Sequence, residues 1–170
     1  MKRNLFLIVL AAYALCGCVS LVYYDGTYHG RVIDAQTREP IEGAVVLGVW
    51  SKGYMGAGGI AHEYYDARET VTDAQGDFTI EGMGPRVMTH LQKMDVVIFK
   101  AGYEHVGRVS WDALKMRDHI KWENSKAIIP LEQWFPDKRP FKFSPRAVGV
   151  PNEKQILLIE EIQKDKDLDR

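Results

Sequence analysis

The sequence contains only two cysteines, Cys16 and Cys18, and both precede the main body of the chain. That body therefore has neither a disulfide framework nor a thiol nucleophile. Beyond the amino terminus, no apolar run approaches the ~20 residues that a membrane-spanning helix needs. The 22 Lys and Arg residues nearly balance the 23 Asp and Glu residues, so composition gives no electrostatic reason to expect a nucleic-acid partner. We expect one globular domain stabilised by packing.

Catalytic motifs are missing as well. His62 and Glu63 resemble the start of a zinc-protease helix, but Asp66 stands where that motif needs its second histidine. There is no Gly-x-Ser-x-Gly elbow and no phosphate-binding Gly-x4-Gly-Lys loop. We therefore predict no catalytic residues, no metal and no cofactor. A small hydrolase that uses His62 with Glu63 or Asp66 is a lesser alternative.

The amino terminus has the three parts of a secretory signal. Lys2 and Arg3 precede the apolar run from Leu5 to Leu15, and small Gly17 directly precedes Cys18. The sequence Leu-Cys-Gly-Cys over residues 15–18 resembles a bacterial lipobox. The apolar run of about 11 residues is short for an uncleaved membrane anchor, which remains an alternative together with a simple signal peptide.

These features predict a lipoprotein signal over residues 1–17, acylation of Cys18 and a tether over residues 18–27. Bacterial lipoproteins carry several acyl chains, and two or more chains hold a protein stably at a membrane. Val19 and Ser20 follow Cys18, without the Asp that suggests retention at the inner membrane. The resemblance thus implies a lipid-anchored protein of the cell envelope, at the outer membrane or in the periplasm if the organism is Gram-negative.

Residues 28–132 have the pattern of an all-β domain. Short β-branched or apolar runs alternate with turn formers and not with helices, which predicts a seven-stranded antiparallel β-sandwich. The predicted strands are His29–Asp34, Ala44–Trp50, Glu69–Thr72, Asp77–Ile80, Asp95–Lys100, His105–Val109 and Ala127–Leu131. Residues 72–80 form the clearest predicted hairpin. The last strand is predicted at a sheet edge or to end at Pro130, which cannot donate to a ladder.

Three blocks in this region resemble the carboxypeptidase regulatory-like domain. They are Gly30, Val32, Asp34, Thr37, Pro40, Ile41, Gly43, Ala44 and Val46; then Thr72, Asp73, Gly76, Phe78 and Ile80; then Lys100, Gly102 and Tyr103, with Ala101 replacing the usual proline. The resemblance implies a transthyretin-like sandwich with a non-catalytic role. Tyr103 is expected to cap the sandwich while its hydroxyl reaches a backbone group. A transthyretin-like fold can also host ureide hydrolysis, but the Tyr-Arg-Gly-Ser ending of that group is missing.

The stretch from Ser51 to Arg68 is longer than a turn requires and is rich in glycine and tyrosine. It predicts a loop, and the candidate contact residues in it are Tyr54, His62, Tyr64 and Tyr65. Tyrosines on a loop of a rigid scaffold supply contact area at low entropic cost. The alternative is a flexible excursion whose aromatic side chains pack on the edge of the sandwich.

Two further insertions have weaker patterns. Residues 84–94 hint at one helical turn, carried by Met88, Leu91 and Gln92. Residues 110–124 predict a short helix capped by Ser110, and its inward-facing side chains are expected to be Trp111 and Leu114.

The carboxy-terminal part changes character. Residues 133–150 predict a proline-rich strap with basic and aromatic side chains, which lies along the sandwich or meets a partner or an anionic surface. Residues 151–170 predict a helix capped by Asn152, and its narrow apolar stripe consists of Leu158, Ile159 and Ile162. That stripe must cover the sandwich or a second copy of the chain.

The sequence as a whole predicts a lipid-anchored, non-catalytic envelope protein that binds a protein or a glycan. Its partners would be the membrane, through the lipid on Cys18, and an envelope protein or glycan. The alternative is a structural lipoprotein that self-associates through the strap and the final helix.

Overall fold

The computed structural model describes residues 22–56, 58–87, 90–135 and 145–168. The predicted signal peptide, the acylation site Cys18, Met88 and half of the predicted strap, residues 136–144, lie outside these residues. Among the described helices, none is both long enough and apolar enough to cross a membrane.

The described part of the chain contains ten strands, where the sequence predicted seven. They are β1 (Val22–Asp25), β2 (Tyr28–Asp34), β3 (Val45–Gly56), β4 (Gly59–Val71), β5 (Asp77–Ile80), β6 (Gly84–Val87), β7 (Asp95–Phe99), β8 (Val106–Ser110), β9 (Lys121–Glu123) and β10 (Lys126–Leu131). Short 3₁₀ helices cover Trp111–Met116 and Asn152–Lys154, and one α-helix, α1, covers Ile156–Leu168. The predicted mostly-β architecture with a carboxy-terminal helix is confirmed.

Two four-stranded sheets pack face to face. The sheet that we call the β2 sheet has the order β5-β2-β10-β9, and the sheet that we call the β3 sheet has the order β4-β3-β7-β8. A separate two-stranded ribbon joins β1 to β6. Both sheets contribute to the core between them, with Val32 and Ile129 from one and Val46 and Ile98 from the other fully buried.

The pairing within the β2 sheet corrects two expectations. β10 pairs with β2 in parallel, so the sandwich is not purely antiparallel. β10 also lies between β2 and β9 rather than at an edge. β9 pairs with β10 only over Lys126–Ile128 and has ended before Pro130. An inner strand therefore tolerates this proline, because one side of the ladder stops before reaching it.

Residues 72–80 do not form a hairpin. The turn is present, since Gly76 N–H donates to Asp73 C=O at 2.8 Å and Gly76 has a φ of 73°. However, β4 belongs to the β3 sheet and β5 to the β2 sheet, so the chain crosses between the sheets here. Thr72 holds the end of β4 in place because its hydroxyl donates to Ile41 C=O at 2.6 Å and accepts from Ala44 N–H at 2.8 Å.

The prediction of a loop from Ser51 to Arg68 is wrong, because these residues form the outer arms of a long β3–β4 hairpin. The two strands pair from Val45↔Val71 to Gly56↔Gly59 with one bulge, which leaves Tyr65 as the extra residue. Each arm provides the hydrogen-bond partners of the other. The hairpin therefore forms without the alternation of apolar and polar residues that sequence reasoning requires of a strand.

The two smaller insertions have different outcomes. Instead of a helical turn, residues 84–87 form β6, and Leu91 makes an isolated bridge with Lys52. The helix after Ser110 is confirmed as a 3₁₀ helix with Trp111 and Leu114 buried. Its predicted cap is wrong, because the Ser110 side chain makes no capping hydrogen bond.

Helix α1 packs on the outer face of the β3 sheet. Its Leu158 is fully buried in a cluster with Leu47, Val49 and Phe99, and Ile162 is partly buried there. The apolar stripe thus covers the sandwich. Asn152 does not cap α1, since it lies in the preceding 3₁₀ helix.

Carboxylates connect α1 to the rest of the domain. Glu69 of β4 accepts hydrogen bonds from Leu157 N–H at 3.0 Å and Leu158 N–H at 2.8 Å, so it caps the first turn of the helix. At the other end, Asp165 accepts from Gly102 N–H at 2.8 Å. Helix and sheet are therefore joined at both ends of α1.

The Tyr103 hydroxyl was expected to form a hydrogen bond with a backbone group, and this prediction is wrong. The hydroxyl donates to Asp34 Oδ2 at 3.1 Å. Asp34 also accepts from the backbone N–H groups of Gln36 and Thr37, and these bonds, led by that of Thr37, hold the pKa of its carboxyl below the usual value. Asp34 therefore stabilises the turn after β2 and the position of Tyr103 together.

Candidate functional site

One end of the sandwich receives the chain from the predicted tether, and we call it the tether end. Tyr28, the first residue of β2, lies there with its ring centroid 6.3 Å from that of Trp50. Met94, just before β7, donates its N–H to the Tyr28 hydroxyl at 3.4 Å. The β1–β6 ribbon and the outer arms of the β3–β4 hairpin both start from this end.

Asp25 fixes the entering chain to the core. Its carboxylate is only 2 % exposed. It accepts hydrogen bonds from the Tyr28 hydroxyl, from Trp50 Nε1 at 2.7 Å and from Met83 N–H at 2.8 Å. A buried carboxylate is tolerated when several donors satisfy it. The last residues of the predicted tether are thus part of the folded domain.

A pocket of about 270 Å³ opens beside this entry point. Four segments form it: residues 24–28 around the turn after β1, the segment just before β7, the 3₁₀ helix that follows β8, and β9 with the turn after it. Most side chains that line it are aromatic or charged, namely Tyr24, Tyr28, Trp111 and Trp122 together with Asp25, Lys93, Asp112 and Lys115. We call it the aromatic pocket.

Edge-to-face ring contacts hold the walls of the aromatic pocket. Trp111 contacts Trp122 with centroids 5.8 Å apart and an interplanar angle of 88°, and it contacts Tyr28 at 5.3 Å and 77°. Trp111 is only 6 % exposed, whereas Tyr24 at the rim is 71 % exposed. Edge-to-face ring pairs stabilise a fixed ring orientation in addition to the stability gained from burying apolar area. The walls of the pocket are therefore largely preformed.

Lys93, Asp112 and Lys115 form a small charged network at the aromatic pocket, separate from the buried Asp25. Asp112 lies 2.8 Å from Lys93 Nζ and 3.2 Å from Lys115 Nζ. The hydrogen bond from Lys93 is the main reason that the pKa of Asp112 lies below its usual value. Two ammonium groups thus face one carboxylate. This network has one excess positive charge and N–H groups at the rim.

The indole Nε1 of Trp122 is buried and has no hydrogen-bond partner among the described residues. A buried donor without a partner costs about 1–3 kcal/mol, and such groups are rare in native structures. Trp122 lines the aromatic pocket, and Lys115 Nζ lies 5.5 Å from its ring centroid. The site therefore combines apolar ring surface with a donor that lacks an acceptor.

The hairpin separates the predicted contact residues onto two faces. Tyr65 lies under Lys52, whose Nζ is 4.5 Å from the ring centroid, and Tyr54 is two residues beyond Lys52 on the same face. The Tyr54 ring is 6.4 Å from His90, and a hydrogen bond to Glu63 raises its pKa. Both tyrosines are more than one third exposed, at 41 % and 37 %.

His62 and Tyr64 lie on the other face, which continues the outer face of the β3 sheet. Tyr64 packs against the apolar cluster beneath α1, and burial raises the pKa of its hydroxyl. His62 is exposed opposite Gly53. The four predicted residues therefore do not form one contact surface.

The hairpin geometry also argues against the hydrolase alternative. His62 and Glu63 are consecutive on a strand, so their side chains point to opposite faces. Asp66 pairs instead with Lys154 at 2.8 Å. Within the described ranges, no three histidine, cysteine or acidic side chains form a metal-binding group.

Sequence reasoning missed the aromatic pocket because its residues come from four segments that are separated along the chain. Burial of Trp111 was predicted, but Tyr24 was assigned to the tether. The usable signal was the recurrence of tryptophan with lysine and aspartate around residues 111–122. Comparison of the chain with protein-family models, curated proteins and solved structures found no match.

Proposed function

We propose that this chain is a lipid-anchored, non-catalytic envelope protein that binds a saccharide in its aromatic pocket. The signal-like segment that ends at Cys18 supports the anchor. The three blocks that resemble the carboxypeptidase regulatory-like domain support a transthyretin-like binding module. The aromatic pocket, which places aromatic rings beside Lys93, Asp112 and Lys115, is the observation that carries the choice of ligand.

A saccharide fits this pocket chemically because each sugar has an apolar C–H face and a hydroxyl-bearing rim. The rings of Tyr24 and Trp122 offer apolar surface with a polar tip. Lys93, Lys115 and Asp112 supply donors and acceptors for the hydroxyl groups of a sugar. The volume of about 270 Å³ lies near the lower end of ligand pockets, which favours one terminal sugar unit.

The alternative of self-assembly through the final helix has less support. The apolar stripe of α1 is occupied by its own sheet, with Leu158 fully buried. A protein partner is the other ligand class that the sequence left open, and it is an outcome of the test below.

The test measures binding of the full-length acylated protein, held in nanodiscs, to an array of bacterial envelope glycan fragments. Tyr24→Ala removes an exposed wall of the pocket, and Trp122→Ala removes a second ring from its lining. We expect the affinity for the best-bound fragment to fall at least tenfold in each variant.

The matched control is Met116→Ala, which removes an 85 % exposed side chain of the same 3₁₀ helix outside the pocket lining and should bind as the wild type does. Unfolding midpoints of all variants show whether each one folds. Equal glycan binding by wild type and both pocket variants would refute the proposed site. The absence of any bound saccharide would refute the ligand class.

A further inference from the structure

The β3–β4 hairpin extends beyond the sandwich at the tether end. β7 pairs with β3 only over Val45–Val49, whereas β3 continues to Gly56. Seven further residues in a strand cover about 23 Å. The first part of this extension is supported on its free side, since Gly53 N–H donates to His90 C=O at 3.0 Å. The hairpin is therefore a stiff projection.

The entering chain runs beside this projection. In the β1–β6 ribbon, Asp25 pairs with Gly84 and Val22 pairs with Val87. Because Asp25 is fixed in the core, Val22 is the end of the ribbon away from the sandwich. The ribbon contacts the hairpin, since the guanidinium carbon of Arg86 lies 5.9 Å from the Tyr65 ring centroid. Ribbon and hairpin thus leave the sandwich on the same side.

The number of residues before the ribbon limits its distance from an acyl chain on Cys18. Four residue steps separate Cys18 from Val22, and a fully extended chain covers at most about 14 Å over that number of steps. An acylated Cys18 would therefore hold the outer end of the ribbon close to the bilayer. The neighbouring hairpin would face the same surface.

The side chains exposed there suit a membrane interface. Met55 is 87 % exposed next to Tyr54, and Val87 at the end of the ribbon is 61 % exposed. Tyrosine is enriched at the level of the lipid headgroups, because its ring is apolar and its hydroxyl is polar. Lys52 lies on the Tyr54 face of the hairpin with Arg86 beside it, and Met55 lies on the opposite face of the tip. Both cations can direct their charged ends to phosphates while their stems remain in apolar contact.

We propose that the hairpin tip, through Tyr54 and Met55, contacts the bilayer that carries the acylated Cys18. This inference rests on the lipid anchor of the proposed function. It gives the domain a second membrane contact and a fixed orientation, with α1 lying along the side of the sandwich and the Asp34–Tyr103 end pointing away from the lipid.

The test uses the acylated full-length protein in liposomes of phosphatidylethanolamine and phosphatidylglycerol. In this protein the signal peptide with Cys16 has been removed and the Cys18 thiol is acylated, so Met55→Cys introduces one free thiol for an environment-sensitive fluorophore. The control is Val71→Cys, at the other end of β4, which is 47 % exposed. The two ends of β4 are about 40 Å apart along the strand.

We expect spin-labelled lipids to quench the fluorophore at position 55 at least twofold more than at position 71. Flotation of the liposomes is measured first. Protein that does not float refutes the lipid anchor and, with it, this inference. If the protein floats but the fluorophore is quenched equally at both positions, the hairpin contact alone is refuted. A partner protein would then replace the bilayer as the candidate that contacts the hairpin tip.

Discussion

The outer faces of the two sheets differ in what covers them. On the β3 sheet, Leu47, Val49 and Phe99 are buried beneath Leu158 of α1. On the β2 sheet, Asp77 forms an ion network with Arg31, at 2.6 Å, and Lys126, at 2.8 Å, whose side chains are about one third exposed. The outer face of the β3 sheet is thus covered by α1, whereas charged side chains occupy part of the outer face of the β2 sheet, on which Ile33 and Ile128 are still buried.

This difference appears in the strand sequences. Every residue of the run Val45–Ser51 is buried, as expected of a strand covered on both sides. The first half of β2 alternates instead, with His29 and Arg31 directed away from the core. A continuous apolar run in a strand therefore indicated a second covering layer, and α1 supplies it.

The largest effect is expected from removing the apolar contact beneath the helix. Leu158→Ala deletes a fully buried side chain and should lower the free energy of unfolding by about 2–5 kcal/mol. Urea denaturation measures the change. Leu168→Ala on the same helix, at a residue 69 % exposed, should change it by less than about 0.5 kcal/mol. Similar losses in the two variants would mean that α1 is not packed as described.

A smaller effect is expected from the helix cap. Glu69→Ala removes the acceptor of the Leu157 and Leu158 N–H groups and should cost about 1 kcal/mol. Hydrogen exchange of the first turn of α1 should accelerate about fivefold, which corresponds to that free energy. Glu160→Ala, an exposed glutamate on α1, is the control. Unchanged exchange in Glu69→Ala would contradict a capping role.

The smallest effect is expected on the solvent-facing β2 sheet. The hydrogen bond from Arg31 is the main cause that lowers the pKa of Asp77 to about 2. A lowered pKa stabilises the fold above the unfolded-state value near 3.8, and this contribution disappears as the pH falls through about 2. Because the groups are partly exposed, Asp77→Asn should cost about 1 kcal/mol or less at pH 7.

The pH dependence of that difference is the critical measurement. Above about pH 5, the unfolding free energies of wild type and Asp77→Asn should differ by a constant amount. Between about pH 4 and 2 the two values should converge. Asp118→Asn, in the exposed turn after the 3₁₀ helix, provides a comparison outside the ion network. A difference that grows on acidification would contradict the role given to Asp77.

The outcomes for particular residues show what sequence patterns capture. Burial of Trp111 and Leu114 and the packing of Leu158 followed from spacing of apolar residues within one element. The arms at residues 51–68 were mistaken for a loop, because their glycines and tyrosines lack the alternation of a half-buried strand. Gly56 and Gly59, separated by two residues, were the available sign of a tight hairpin turn.

The sequence by itself determined the location of seven of the ten described strands, the presence of the helix that follows Pro151 and which of its faces is apolar. These properties depend on neighbouring residues, through the periods of about 2 and 3.6 that decide which side chains share a face. Tertiary structure decided that residues 72–80 cross between sheets, that β10 lies parallel to β2, and that Tyr24, Trp111 and Trp122 line one pocket. Those arrangements depend on contacts between distant segments, and such contacts form only when the two sheets close on a shared core.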